Sequence, residues 1–382
     1  MGRLGTESAF EVLQRAKALE AQGKSIVHME IGEPDFDTPA NVIEAAVGAL
    51  RTGWTHYTPA AGIPQLRDTI ARYTKRTRGI DVGPDNVVVF PGAKPTMSYL
   101  ILALVDPGDE VIYPNPGFPI YESMIESAGG KAVPVPLLEE RDFGFDASTI
   151  ASLITPKTKM IILNSPGNPT GGVLSKELIT EVAALAAKHD IFVLADEIYS
   201  RILYDGGRFF SITEIPGMFE RTCILDGFSK TYSMTGWRLG WAVLPKELAQ
   251  RLTQLAINFT SCTAAFSQVA GVEALDGDQS SVDAMVEEFD ARRRLIVDGL
   301  NKIKGIRCRM PGGAFYVFPN ISSFGLKSKE FAEKLLSEGG VAALPGTAFG
   351  KYGEGFIRLS FATSQEKIKE ALDRMARFCA AR

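Results

Sequence analysis

The stretch IFVLADEIY, residues 191–199, places five apolar residues in a row before two acids, with a tyrosine closing the run. An unbroken apolar run of this length that ends in charge reads as a strand buried on both faces, with its carboxyl end emerging at a polar place. Six further runs have the same character: NVVVF from Asn86, EVIYP from Glu110, KAVPVPL from Lys131, MIILN from Met160, TCILDGF from Thr222 and LGWAVLP from Leu239. Helical patterns such as PTMSYLILALV and SKELITEVAALAAKHD separate most of them. Apolar strands alternating with helices predict an α/β fold with a large, mostly parallel sheet sandwiched by helices.

Outward from that core the pattern changes. SAFEVLQRAKALEAQG reads as a helix ending at Gly23. Beyond a helix-rich stretch to about Lys304 comes a mixed module: GGAFYVFPN, the helix KEFAEKLLSEGG, the strands VAALPG and GFIRLSFA, and a closing helix QEKIKEALDRMARF. The expected organisation is a large domain over 40–280 and a smaller α+β domain built from 1–39 together with 281–382. At 382 residues the chain is long enough for two such units.

Composition removes several function classes. A formal net charge of −4 offers no electrostatic footprint for nucleic acid or an anionic membrane surface. The four cysteines, Cys223, Cys262, Cys308 and Cys379, are far apart, which predicts a reduced, cytoplasmic setting. No apolar run reaches the roughly 18 residues that cross a bilayer, and MGRLGTESAF lacks a signal peptide's apolar core. With three histidines and no HExxH-like pair, no metal site is expected.

Ligands of parallel α/β sheets sit at the carboxyl ends of the strands, and four strand ends here carry suitable groups. NVVVF runs into PGAKPTMSY, a small-residue turn opening a helix, so the backbone N–H groups of Ala93 and Lys94 can face an anion. MIILN leads to Asn168 in the Pro-bracketed turn NSPGNPTGG. The run 191–199 delivers Asp196 and, three residues on, Tyr199. TCILDGF delivers Ser229 and Lys230. Each feature alone has an ordinary reading, as a helix cap, a turn, a surface acid or a solvated lysine; all of them at successive strand ends point to one site. Two nucleotide-binding motifs fail. A phosphate loop ending at Gly23-Lys24-Ser25 would need glycine where Ala18 stands, and no G-x-G-x-x-G follows a strand. A lysine, an acid, a phenol, an amide and an anion cradle together suit pyridoxal phosphate chemistry: the lysine for the aldehyde, the acid for the pyridine nitrogen, the cradle for the phosphate.

With IGEPDFDTP, YTPAAGIPQLR, NSPGNPTG, ADEIY, SKTYSMTGWRLG and FIRLSFA on one chain, the sequence resembles a class I, fold-type I pyridoxal-phosphate-dependent aminotransferase, in particular the bacterial aspartate/aromatic-like branch. The resemblance covers nearly the whole chain and implies a seven-stranded main sheet, pyridoxal 5′-phosphate as cofactor, and a homodimer with shared active sites. Lys230 matches the Schiff-base lysine and proton shuttle, Asp196 the partner of the pyridine nitrogen, and Tyr199 and Asn168 the donors to the ring oxygen. Ala93, Lys94, Ser229 and Arg238 match the phosphate cup, and Phe118, in NPGFPIY, the aromatic stacked on the ring. Tyr57 matches a residue reaching the neighbouring subunit's phosphate. Gly32, Asn168 and Arg358 match the clamp on the substrate carboxylate. Gly227 departs from relatives that carry a polar residue there, and Ala256 stands where dicarboxylate-specific relatives carry an arginine, so a broad side-chain pocket is expected. The implied activity is transfer of an amino group from an L-amino acid to a 2-oxo acid, 2-oxoglutarate being the expected acceptor, by a ping-pong mechanism. A carbon–sulfur β-lyase or related synthase is the alternative on this fold, and a cofactor-sensing regulator the third.

Overall fold

The computed structural model describes residues 4, 5 and 8–382. A short strand, β1 (Val27–His28), follows the N-terminal helix Ser8–Glu20. The main sheet takes the next seven: β2 (Val87–Phe90), β3 (Glu110–Asn115), β4 (Lys131–Pro136), β5 (Thr158–Asn164), β6 (Phe192–Asp196), β7 (Thr222–Gly227) and β8 (Gly240–Val243). Four short strands close the series: β9 (Tyr316–Val317), β10 (Val341–Ala342), β11 (Leu344–Pro345) and β12 (Ile357–Ser360).

The seven strands lie in the order β2-β8-β7-β6-β5-β3-β4. All the pairs from β7 through to β4 are parallel, and only β8 runs against its neighbours, antiparallel to both β7 and β2. The reason lies in the connection. Residues 228–239 hold one helical turn, Phe228–Thr231, and then turn back, with no crossover helix to carry the chain round for a parallel return. Helices cover both faces. Alternation within β2 shows it: Val88 and Phe90 join one buried cluster, Val87 and Val89 another on the opposite face. Each such apolar side chain, fully buried, contributes ~1.5–3 kcal/mol.

The chain ends meet in the smaller sheets. β1 pairs in parallel with β10, joining residues 27–28 to residues 341–342. β12 lies between β11 and β9, antiparallel to both, so Arg358 sits on a central strand. The helices Ser280–Asn301 and Gln365–Ala380 pack closely: a Cβ on Gly299 would come within 2.3 Å of Leu372. Ser364 caps the latter helix, its hydroxyl accepting the Lys367 N–H. Among the described residues, no helix is long and apolar enough to cross a membrane.

Candidate active site

Strand ends of the main sheet and the C-terminal sheets enclose a cavity of about 1020 Å³. On one side β2 ends at Phe90, turns through Gly92 and starts the helix Lys94–Leu104. Gly92 has φ +92, and a Cβ there would lie 2.4 Å from an Arg238 guanidinium nitrogen, so glycine lets Arg238 lie across the turn. Arg238 itself takes a left-handed φ of 53, uncommon outside glycine, and donates Nη1–H to the Thr235 carbonyl at 2.8 Å. The Lys94 ammonium sits 5.5 Å over the Phe118 ring.

The exits of β5 and β6 are tied by Asn164. Its Nδ2 donates to the Asp196 carbonyl at 3.1 Å, while its Oδ1 accepts the Asn168 N–H at 3.0 Å. Asp196, at the end of β6, is 7% exposed. Tyr121 donates its hydroxyl to one carboxylate oxygen at 2.5 Å and the Ile198 N–H donates to the other at 3.3 Å. Burial pushes the Asp196 carboxyl up to about 6; those two donors work against the rise, and Glu197 adds to it. Three residues on, the Tyr199 hydroxyl bonds that of Tyr316 at 2.8 Å, and burial, with Tyr316, raises the Tyr199 phenol well above its ordinary value.

The end of β7 brings the lysine. Gly227 is extended, and a Cβ on it would meet Gly240 Cα at 3.1 Å. Here the missing side chain leaves room for β8 to pass. Lys230 then donates Nζ–H to the Gly32 carbonyl at 2.6 Å. Gly32 is held to its size by Tyr316, whose hydroxyl would lie 2.4 Å from a Cβ.

Arg358 enters from β12, 4% exposed. Its Nη1 donates to Asn168 Oδ1 at 3.2 Å and its Nη2 to the Glu30 carbonyl. The rings of Tyr316 and Phe349 lie 4.6 and 5.0 Å from its guanidinium carbon. These contacts fix the plane of the fork.

Every residue expected at the site from the sequence lines this cavity except Tyr57, which stands 92% exposed elsewhere on the surface. Ala256 is outside the cavity as well; it is buried in the helix Lys246–Phe259. The cavity's apolar lining includes Phe10, Leu13, Ile31, Met97, Leu344 and Phe349. Sequence reasoning missed Tyr121, Tyr316 and Asn164. All three lie inside stretches already singled out, NPGFPIY, GGAFYVFPN and NSPGNPTG, and only the packed chain reveals their contacts. Among the described residues, no cluster of three or more His, Cys, Asp or Glu is placed to hold a metal ion.

A family model described as aminotransferase class I and II matches residues 24–375. An aspartate aminotransferase of Pyrococcus horikoshii is 42% identical over 367 residues, covering 96% of this chain and 92% of that protein. An aromatic-amino-acid aminotransferase of Thermococcus litoralis is 41% identical over 359 residues, covering 93% and 92%. The solved structure of an aspartate aminotransferase from Thermus thermophilus with maleate superposes with a TM-score of 0.94 at 39% identity, covering 98% of this chain and 97% of that one. These relatives favour amino-group transfer over carbon–sulfur elimination.

Proposed function

The chain belongs to the class I and II aminotransferases, and from that premise we propose how its cavity moves an amino group from an amino acid to a 2-oxo acid. The family's cofactor is pyridoxal 5′-phosphate, which, when bound, supplies an electron sink for the carbanion at the substrate α-carbon. One observation carries the reading: Asp196 is a buried carboxylate with no cationic partner among the described residues, and it shares a cavity with Lys230. A buried unpaired acid is costly. A protonated ring nitrogen would supply that partner, and Asp196 would hold the proton on the nitrogen.

The remaining groups suit the rest of the cofactor. Lys230 provides the amine for its aldehyde and afterwards carries the proton to and from the substrate α-carbon. Tyr199 and Asn168 would donate to the ring oxygen, and Phe118 would cover the ring. The backbone of Ala93 and Lys94 at the helix start, the Ser229 hydroxyl and the Arg238 guanidinium supply donors for a phosphate dianion. For the substrate, Arg358 and Asn168 with the Gly32 backbone grip the α-carboxylate. Relatives named for aspartate and for aromatic amino acids, together with the apolar lining, support a broad donor range with 2-oxoglutarate as acceptor. A donor panel with 2-oxoglutarate, read as glutamate formed, tests this; cofactor-loaded protein that makes glutamate from none of the donors would refute it.

Arg358→Lys tests the clamp. Lysine offers no planar fork, so the Michaelis constant should rise about tenfold or more for every donor alike, a loss of ~1.4 kcal/mol. Absorption of the bound cofactor should not change. A variant that spares one donor class and abolishes another would mean that Arg358 reads the side chain instead.

The same reading makes the protein a cytoplasmic homodimer with a large unit over 40–280 and a small one from 1–39 and 281–382. Exposed Tyr57 has no role within its own subunit's cavity, while a cleft of about 610 Å³ beside Arg238, lined in part by Ile43, Leu50, Trp237 and Phe266, is open for a second copy. The four cysteines are free, as a reducing compartment keeps them. Tyr57→Ala and Lys230→Ala proteins, each impaired alone, should regain activity on mixing, because hybrid dimers carry one intact site. No recovery despite demonstrated subunit exchange would rule out a shared site.

A further inference from the structure

Behind the cavity, on the opposite face of the sheet, lies an ion cluster that takes no part in the reading above. β6 and β7 pair in parallel with Asp196 opposite Leu225. Successive residues of a strand alternate in direction. Asp196 and Leu225 line the cavity, and their successors, Glu197 and Asp226, turn away from it to meet Arg78. Arg78 is the last residue of the helix Pro64–Arg78 and is 2% exposed. Its Nε donates to Glu197 Oε2 at 3.0 Å, and its Nη2 donates to Asp226 Oδ2 at 2.7 Å and to Ser200 Oγ at 3.2 Å. The rings of Tyr73 and Phe209 sandwich it at 5.4 and 5.5 Å.

Two of these contacts fall one step from the machinery of the site, and a third at the start of the turn that carries Lys230. Glu197 follows Asp196, and Ser200 follows Tyr199. Asp226 accepts the Gly227 N–H at 2.7 Å, and Gly227 immediately precedes the helical turn Phe228–Thr231 that bears Lys230. The Ser211 hydroxyl completes the cluster by donating to Glu197 Oε1 at 2.5 Å.

We propose that Arg78 is a positioning residue for the reaction: one buried guanidinium fixes, from behind the sheet, the strand ends that carry Asp196, Tyr199 and Lys230, and offsets part of the charge of the two carboxylates behind Asp196. The inference rests on the aminotransferase reading of the cavity. Without Arg78, two buried carboxylates face each other unpaired behind Asp196, and the turn holding Lys230 loses its anchor. Like charges close by raise a carboxyl's proton affinity, so Asp196 would hold its proton to higher pH and bind a cationic ring nitrogen less well. The titratable groups around Asp196 are Tyr121 from the helix Ile120–Ser127, Tyr199 after β6, Lys230 after β7, and Glu197, Asp226 and Arg78 behind.

The test uses full-length protein loaded with pyridoxal phosphate. Arg78→Lys keeps the charge but loses the fork that reaches both acids. It should weaken cofactor binding about tenfold, equivalent to ~1.4 kcal/mol. It should also lower kcat at least tenfold and shift the pH at which the bound cofactor's visible band titrates, while the amino acid KM stays within about threefold because Arg358 is untouched. In case Arg78→Lys does not fold, a triple variant, Arg78→Met with Glu197→Gln and Asp226→Asn, removes the fork together with both acids and leaves no buried charge in the cluster; without the fork that ties the strand ends it should also show weaker cofactor binding and a displaced titration. Either variant, folded and with wild-type cofactor affinity, titration pH and kcat, overturns the proposal even if its Tm is lower, since that is the pattern of a purely structural ion cluster. Wild-type protein that binds no cofactor would instead overturn the reading on which the proposal stands.

Discussion

Lys230→Ala is expected to cut turnover by at least about 10⁴-fold, the upper end of what one positioned acid–base group contributes, because the same amine also attaches the cofactor. The protein should still fold. Lys230 occupies a single helical turn, its side chain lines the cavity, and its hydrogen bond to the Gly32 carbonyl contributes no more than ~3 kcal/mol. Cofactor should still bind through the phosphate donors, but borohydride should no longer fix it to the protein, whereas in the wild type the label should map to Lys230. Turnover within tenfold of the wild type, or a label on another lysine, would remove Lys230 from the reaction.

Asp196→Asn should divide stability from function. In the cofactor-free protein, burial sets the Asp196 carboxyl at about 6, above its ordinary 3.8. A carboxyl raised on folding binds more protons in the native state than in the unfolded one between those values. Its contribution to stability is therefore present at low pH and is lost as pH rises from about 4 to about 6. The loss approaches ~3 kcal/mol at neutral pH, at ~1.4 kcal/mol per unit. An amide carries no charge and escapes it, though it can accept only one of the two donors, Tyr121 or Ile198, at a cost of ~1 kcal/mol. Cofactor-free Asp196→Asn should then be more stable than the wild type at pH 7–8, by ~1–2 kcal/mol in denaturant melts, with the advantage gone near pH 4. Its cofactor affinity should move the other way, weaker by ~1.5–3 kcal/mol for a lost charge-assisted bond, with turnover falling further because a neutral ring nitrogen is a poor electron sink. Wild-type turnover in this variant would count decisively against the assigned role.

What could be read from the sequence follows from what is local. Asp196 and Lys230 lie at or just past strand ends, and strand ends can be counted along the chain, so their meeting at one sheet edge was legible. The seven runs of the main sheet were legible for the same reason. The reversal of β8 was not, because direction depends on how residues 228–239 travel, and no single residue in them reports it. Tyr121 and Tyr316 act through partners 75 and 117 positions away; a tyrosine among aromatics gives no sign of where its hydroxyl points. Arg78 was hidden differently. In ARYTKRTRGI it stands among three other basic side chains and looks like part of a solvated helix end, and only the packed helix separates it from them. Ala256 carried an expectation about the pocket, yet its own side chain lies within the core.

Because β12 lies near the end of the chain, the site is completed in a fixed order as the protein is made. Lys230 and the phosphate donors leave the ribosome before Arg358 does, and roughly 130 residues separate them. At about 5–20 residues per second, that gap lasts on the order of 6–26 s. On the proposed assignment, a nascent chain that has folded its main sheet in this interval would have the groups for the cofactor and lack the arginine for the amino acid. Ribosome-bound chains stalled shortly before residue 358 should take up pyridoxal phosphate and fail to discharge an added amino acid; stalled chains that take up none would show that loading waits for release.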